Sequence, residues 1–334
     1  MDFTKPRVAI YYDVLPQTNF RNDGAPLAIH YNLQKLLNNK TMGDLQREGM
    51  TDSGNVVHLS PINPTSQHGT FDLNILVDYG EDTLGIPLDW KIPHPNAYWA
   101  FDTHIDEKGF TYRLNRAKQF DHVFLCHKAQ INDFIRGGIE HDRIHYLPVA
   151  AEIDCYRPYP VMPKWNWSFI GHFNSPHRID LLDRFIREFG LGDQKGYVGY
   201  RIPQIQGHCV LDDAAKKFSM SRVTLNYSIR SDLAMRVFET MACGTCLLTD
   251  DIPTIRELFN DGEHLTLFTS IDEAVEKYKF LLSNDAVRTR IAKAGMDEVV
   301  AKHTYRHRAL EILDKCINYR PEGSENKGRV SLCL

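Results

Sequence analysis

The chain has 334 residues, longer than single hydrophobic cores usually grow, so two domains are expected. It is 43% hydrophobic and 25% charged, an ordinary globular composition, and its formal net charge of −4 excludes the global basic field of a DNA-coating or polybasic membrane-binding protein. The polar start Met1-Asp-Phe-Thr-Lys-Pro-Arg7 does not read as a signal peptide, and no apolar run reaches membrane-spanning length. The 7 cysteines stand at irregular positions and read as reduced thiols, so a cytoplasmic location is expected.

In chain order, Arg7-Val-Ala-Ile-Tyr-Tyr12 reads as a first strand, followed by a polar loop from Gln17 to Gly24 and an amphipathic helix over 26–37. Leu73-Asn-Ile-Leu-Val77 and Ala97-Tyr-Trp-Ala-Phe101 read as further strands. The first ends in a polar tail with Asp78 and Glu81, the second in one with Asp102 and His104. Ligands of open α/β sheets bind outside the carboxyl ends of strands, so these tails and Gly24 are site candidates. The turn-rich stretch 60–69 reads as a surface loop. Asp121-His-Val-Phe-Leu125 is a buried-looking strand, with a helix over 129–136 and the run Arg143-Ile-His-Tyr-Leu-Pro148 after it.

Proline density rises after Asp154, which puts a linker at 157–165. The second half repeats the pattern. A strand over 167–170 leads through a glycine turn at Gly171 to a helix over 178–189; then come a strand Arg222-Val-Thr-Leu-Asn-Tyr227, a helix over 233–243 and a strand over 245–249. Helices follow over 271–283, 285–302 and 304–318, and the polar residues 321–334 are expected to be a disordered tail. The class is α/β, with two Rossmann-like domains at 1–160 and 161–303. Cys243 and Cys246 form a CxxC without a second pair, and small buried residues are favoured over a redox or zinc site.

The segment Asn226-Tyr-Ser-Ile-Arg-Ser-Asp232 is a strand end and polar turn in which Ser231 and Asp232 are candidate N-caps for the next helix. A helix N-terminus of this kind favours an anion. Arg230 and Arg236 add cationic forks that suit a diphosphate, and Glu239 is placed to accept hydrogen bonds from ribose hydroxyls. The plainer alternative for Arg236 and Glu239 is an exposed ion pair at i, i+3. His104 and Asp102 are the candidate catalytic pair of the first domain, with imidazole as proton or hydrogen-bond acceptor and the carboxylate as its orienter or as base. Structural roles stay open for both. No D-x-D triplet and no zinc-spaced His/Cys cluster occurs, so neither metal nor cofactor is expected. Arg178, Arg230, Arg236 and the helix dipole would then stabilise a leaving diphosphate.

The run Arg236-Val-Phe-Glu-Thr-Met-Ala-Cys-Gly-Thr-Cys-Leu-Leu-Thr-Asp250, continued by Ile255-Arg-Glu-Leu-Phe-Asn-Asp-Gly262, resembles the donor-binding region of glycosyltransferase family 4 and the related CgeB-like group. Further ordered fragments carry the resemblance across about three quarters of the chain: Asp121 to Gly138, Arg143 to Pro158, Phe169-Ile-Gly-His-Phe173 with Arg178, and Ala301-Lys-His-Thr-Tyr-Arg-His-Arg308. It implies a GT-B fold of two domains facing a cleft, with a helix at about 304–320 crossing back to the first. It further implies sugar transfer from a nucleoside diphosphate sugar, UDP-sugar foremost, without a metal and with retention of configuration. Glu239 would hold the ribose, Gly171, Arg178, Arg230, Ser231, Asp232 and Arg236 would complete the donor site, and a histidine matched by His104 would reach the transferred sugar. Gly24, Asp78 and Glu81 become acceptor-side candidates.

Ser231 departs from the family 4 pattern, which has a sugar-contacting glutamate there; the CgeB-like group tolerates this absence and is the closer resemblance. The acceptor is open among saccharides, proteins, small molecules and modified nucleic-acid bases. The clusters Tyr112-Arg-Leu-Asn-Arg-Ala-Lys118 and Tyr305-Arg-His-Arg308 speak slightly for nucleic acid, and the net charge speaks against it. A nucleotide-sugar epimerase of the same fold and a nucleotide-sugar-binding protein without catalysis are the alternatives.

Overall fold

The computed structural model describes residues 4–12, 24–41, 44, 54–59, 70–78, 90–104, 106–172, 175–199, 212–230 and 232–320. Glu81, Ser231, the loop 60–69, the tail 321–334 and all of the 17–24 loop except Gly24 lie outside the described residues. The chain divides into two compact units, Met1–Val149 with Tyr305–Leu334, and Ala150–Thr304.

The first unit is built on a parallel sheet of β1 (Val8–Tyr11), β2 (Val56–Leu59), β3 (Leu73–Asp78), β4 (Asn96–Ala100), β5 (His122–Leu125) and β6 (Ile144–Tyr146). The spatial order is β2-β1-β3-β4-β5-β6. Its central strands are buried along their whole length, which is why they read as continuous apolar runs. The flanking helices are α1 (Ala25–Asn38), α2 (Glu107–Ala117) and α3 (Ile131–Arg136). Asp106 caps α2 by accepting from the Gly109 N–H at 2.7 Å. Leu76, Tyr98, Phe120, Val123 and Phe134 pack together in the core between sheet and helices.

The second unit has a parallel sheet of β7 (Trp165–Ile170), β8 (Gly196–Gly199), β9 (Ser221–Leu225), β10 (Cys246–Asp250) and β11 (Thr266–Phe268), in the order β11-β10-β9-β7-β8. Its helices are α4 (Pro176–Phe189), α5 (Asp212–Ser219), α6 (Met235–Ala242), α7 (Pro253–Leu258), α8 (Ile271–Ser283) and α9 (Asp285–Lys302). Trp167, Phe169, Phe185, Leu225, Leu248 and Tyr278 form its core. From β7 the chain runs to β8 on one side and then to β9 on the other, so the carboxyl ends of β7 and β9 flank a topological switch point.

After Thr304 the chain re-enters the first unit as α10 (Tyr305–Ile317). The buried Arg308 fastens it, donating from Nε to the Pro148 carbonyl at 2.7 Å and from Nη2 to that of Val149 at 3.2 Å. The returning helix implied by the resemblance is therefore present. Among the described residues, no helix is long and apolar enough to cross a membrane.

Sequence periodicity misses β2 and β8, short edge strands where two-sided burial fades, and β11, a buried edge strand of three residues, too short to show a period. It also misses α2, whose buried positions include Arg113 and Arg116 in place of an apolar stripe. The helix expected over 233–243 starts at Met235 instead, with Ala234 at the N-cap and no side-chain capping bond. Asp232 thus lies outside the cap position assigned to it.

Candidate functional site

The second unit holds a cleft of about 610 Å³ at its switch point, lined by residues 175–177, 227–230, 250–252 and 268–269. These are the start of α4 and the carboxyl-end segments of β9, β10 and β11. Ser175 and Pro176 open α4 with Pro at its first position, so the helix N-terminus forms one wall. The His177 and Tyr227 rings stack, centroids 5.4 Å apart at 14°, and both line the cleft. Arg230 lines it with φ 51°, a left-handed conformation uncommon outside glycine.

Asp250 anchors the neighbouring loop. Its carboxylate accepts from the Ser228 N–H at 2.8 Å, the Ser228 hydroxyl at 3.1 Å and the Thr249 hydroxyl at 3.1 Å. Burial pushes its pKa above the usual carboxylate value, and these bonds pull in the opposite direction. Arg178 donates to the Tyr227 carbonyl at 2.6 Å and to the His172 carbonyl at 3.2 Å, joining the loops that follow β9 and β7. Burial brings this guanidinium down to about 10, opposed by Asp250 and then Asp232. Arg178 therefore builds the walls of the cleft.

Arg236 and Glu239, from the first two turns of α6, are only 7% and 2% exposed, which removes the exposed-ion-pair reading. The Arg236 guanidinium lies 4.8 Å over the Phe169 ring and directly against Gly171 in the turn after β7. Two motifs far apart in sequence are thus one cluster. Gly244 follows the helix at φ 70°, the left-handed end that glycine accepts without strain. Cys243 and Cys246 are buried free thiols; burial pushes Cys246 up to about 12 and raises Cys243, with Glu239 adding to the latter. They behave as small core residues, as expected.

In the first unit, Asp102 and His104 follow β4 and His127 follows β5. The His104 and His127 rings are 3.9 Å apart between centroids. One ligand atom from each of Asp102, His104 and His127 lies within 4.8 Å of the others. The absence of metal-like spacing concerned neighbours in sequence, and this grouping joins two different strand ends. Asp102 has φ 50°. His127 escaped sequence reasoning; its signal was a histidine just past a strand end. His177, Tyr227 and Asp250 were also missed, although each adjoins or ends an element that was recognised.

Asp78 is buried, hydrogen-bonded by the Tyr98 hydroxyl and ion-paired with Arg113 at 3.5 Å. Its carboxylate is engaged inside the unit, which corrects its reading as an open acceptor-side group. Gly24 sits at the N-cap of α1. Within the basic clusters Arg113, Arg116 and Arg308 are buried, Arg116 donating to the Trp90 carbonyl at 3.0 Å, while Lys118 and Arg306 are exposed. The three buried arginines lend no support to a nucleic-acid acceptor.

The fold is that of GT-B glycosyltransferases, two parallel α/β sheets with helices, and it recurs in solved structures of low sequence identity. HepE from Anabaena, solved in complex with UDP, is 12% identical, with 94% of this chain and 100% of that chain covered and a TM-score of 0.61. A glycosyltransferase from Rickettsia africae is 11% identical over 95% of this chain and 100% of that one, TM-score 0.62. The N-terminal domain of Candida albicans trehalose-6-phosphate phosphatase is 9% identical over 93% of this chain and 96% of that one, TM-score 0.63. Residues 189–314 match the model of a family described as glycosyl transferase-like. A comparison with curated protein sequences returns no match.

Proposed function

We propose that this protein transfers a sugar from a nucleoside diphosphate sugar, UDP-sugar foremost, to an acceptor. The observation that carries the reading is the contact of Arg236 with Gly171 beside the switch point of an α/β sheet: Arg236 and Glu239 share a buried helix inside the glycosyl transferase-like segment. The UDP in the HepE structure and the family 4 and CgeB-like resemblance support the choice of donor. In this reading the second unit binds the donor. Arg236 and the α4 N-terminus meet the diphosphate, Glu239 holds ribose hydroxyls, and the stacked His177 and Tyr227 offer a flat face to a ring.

The acceptor oxygen forms its bond to the anomeric carbon as the bond to the phosphate oxygen breaks, and charge grows on the leaving diphosphate. Loops of the first unit serve the acceptor, with His104 accepting its proton or a hydrogen bond and Asp102 orienting the imidazole. Retention of configuration belongs to this reading through the family resemblance, and a cytoplasmic location through the irregularly placed cysteines read as reduced thiols. Incubation with several radiolabelled nucleotide sugars and an acceptor array tests it. Label transferred to one acceptor class is the expected result. Isomerised free donor without transfer would make the protein an epimerase, and donor binding without turnover would make it a nucleotide-sugar-binding protein without catalysis.

A further inference from the structure

We propose that Asp102, His104 and His127 form a binding site for a borderline divalent metal ion, with Zn²⁺ the best chemical match. β4 and β5 are adjacent parallel strands in which Ala100 stands opposite Leu125. Asp102 and His127 each lie two residues past those partners, so strand register carries both to the same place on the sheet's carboxyl edge, and His104 follows in the same turn. The three ligand atoms lie within 4.8 Å of one another. Zn–N and Zn–O bonds of about 2.0–2.2 Å need donors somewhat closer than that, an adjustment that side-chain rotation supplies. Two imidazoles and one carboxylate are donors for Zn²⁺, Co²⁺ or Ni²⁺ more than for Mg²⁺ or Ca²⁺.

The surroundings suit a cation. All three residues are partly buried, and both ring nitrogens of His104 are themselves shielded from solvent, so an entering ion and a water as fourth ligand need a small shift of the surrounding side chains. Arg113 is one nearby positive charge, and the Asp78 carboxylate offsets it at 3.5 Å. The same guanidinium donates from Nη1 to the Asp102 carbonyl at 3.4 Å, which steadies the turn that carries two of the ligands. A consequence follows for the reaction. A metal on His104 occupies the lone pair that the transfer step uses, so metal occupancy inhibits; this consequence rests on the proposed function, whereas the site itself does not.

The full chain, stripped with a chelator, is titrated with Zn²⁺ by calorimetry and with Co²⁺ by visible absorption. One equivalent with the intense bands of a low-symmetry, four-coordinate Co²⁺ centre is expected. His127→Gln and Asp102→Asn, checked for folding by circular dichroism, should each lower the affinity more than about tenfold, since losing a ligand exceeds the usual cost of losing an outer-shell partner. His94→Gln, at an exposed histidine outside the cluster, should leave it unchanged. No stoichiometric binding, or equal affinity in the wild type and both cluster variants, overturns the site. Transfer that Zn²⁺ suppresses and chelator restores bears out the consequence; metal binding in a protein that transfers no sugar keeps the site and overturns the reaction.

Discussion

The guanidinium of Arg236 lies across the Cα of Gly171, so that a Cβ at that glycine would come 2.2 Å from Nη2 and 2.4 Å from Cζ. Only glycine leaves the guanidinium its place over Phe169. Because the obstructing atoms are the far end of a flexible side chain, Gly171→Ala should swing Arg236 aside without unfolding the unit. UDP affinity measured by calorimetry should fall about 10- to 100-fold, the size of one or two charge-assisted hydrogen bonds, with the urea midpoint near wild type. Arg236→Met should match it.

Glu239 has a sharper test than loss of binding. If its carboxylate accepts from the ribose, Glu239→Gln should narrow the preference for UDP over 2′-deoxy-UDP or UDP lacking the 3′-hydroxyl, by up to about tenfold. Equal discrimination in wild type and variant would remove Glu239 from the ribose.

His104→Ala should lower kcat for transfer by about 10²- to 10⁴-fold, the usual contribution of a general acid or base, while leaving the affinity for UDP unchanged. Steady-state kinetics alongside calorimetry separates the two quantities. Turnover that survives in His104→Ala would place the chemistry elsewhere.

The buried trio Asp78, Arg113 and Tyr98 is expected to matter for stability. Asp78→Ala leaves the Arg113 charge buried without its carboxylate and should cost about 3–5 kcal/mol in urea unfolding. Replacing both, Asp78→Leu with Arg113→Met, should recover much of that loss, because the cost lies in stranding one charge.

Acid should destabilise the first unit through His30. Burial, with His58 next to it, holds this imidazole down at about 3, and it contacts the Tyr12 hydroxyl at 2.8 Å and the Gln34 amide at 3.3 Å. The fold favours the neutral ring, so its contribution is whole above the unfolded value of about 6.5 and is lost as pH falls from there toward about 3. Within that window the slope from this one group is about 1.4 kcal/mol per pH unit. Urea midpoints at pH 7 and pH 5 should show it, and His30→Gln should flatten it.

The long buried strands β3, β4, β7 and β10 were legible as sequence because burial on both faces leaves unbroken apolar runs. So was the segment from Arg236 to Gly244, whose residue order carries a family pattern. The start of α6 was misjudged because Asp232 has capping chemistry, yet the chain stays extended as far as Ala234 before turning. Helix α2 was hidden because Arg113 and Arg116 take buried positions that an apolar stripe normally marks.

What the sequence determined by itself was the class, the alternation of strand and helix, and the identity of Arg236, Glu239 and His104 as chemically capable residues. Tertiary structure alone decided which of them meet. Gly171 touches Arg236 because β7 ends and α6 begins at the same switch point, and His127 joins Asp102 and His104 because β5 lies beside β4 in register. It also places the charges of Asp78, Arg113 and Arg308 in the interior. Local patterning reports whether a residue faces a core, but strand order and register are properties of long-range pairing, and they place distant side chains within bonding distance.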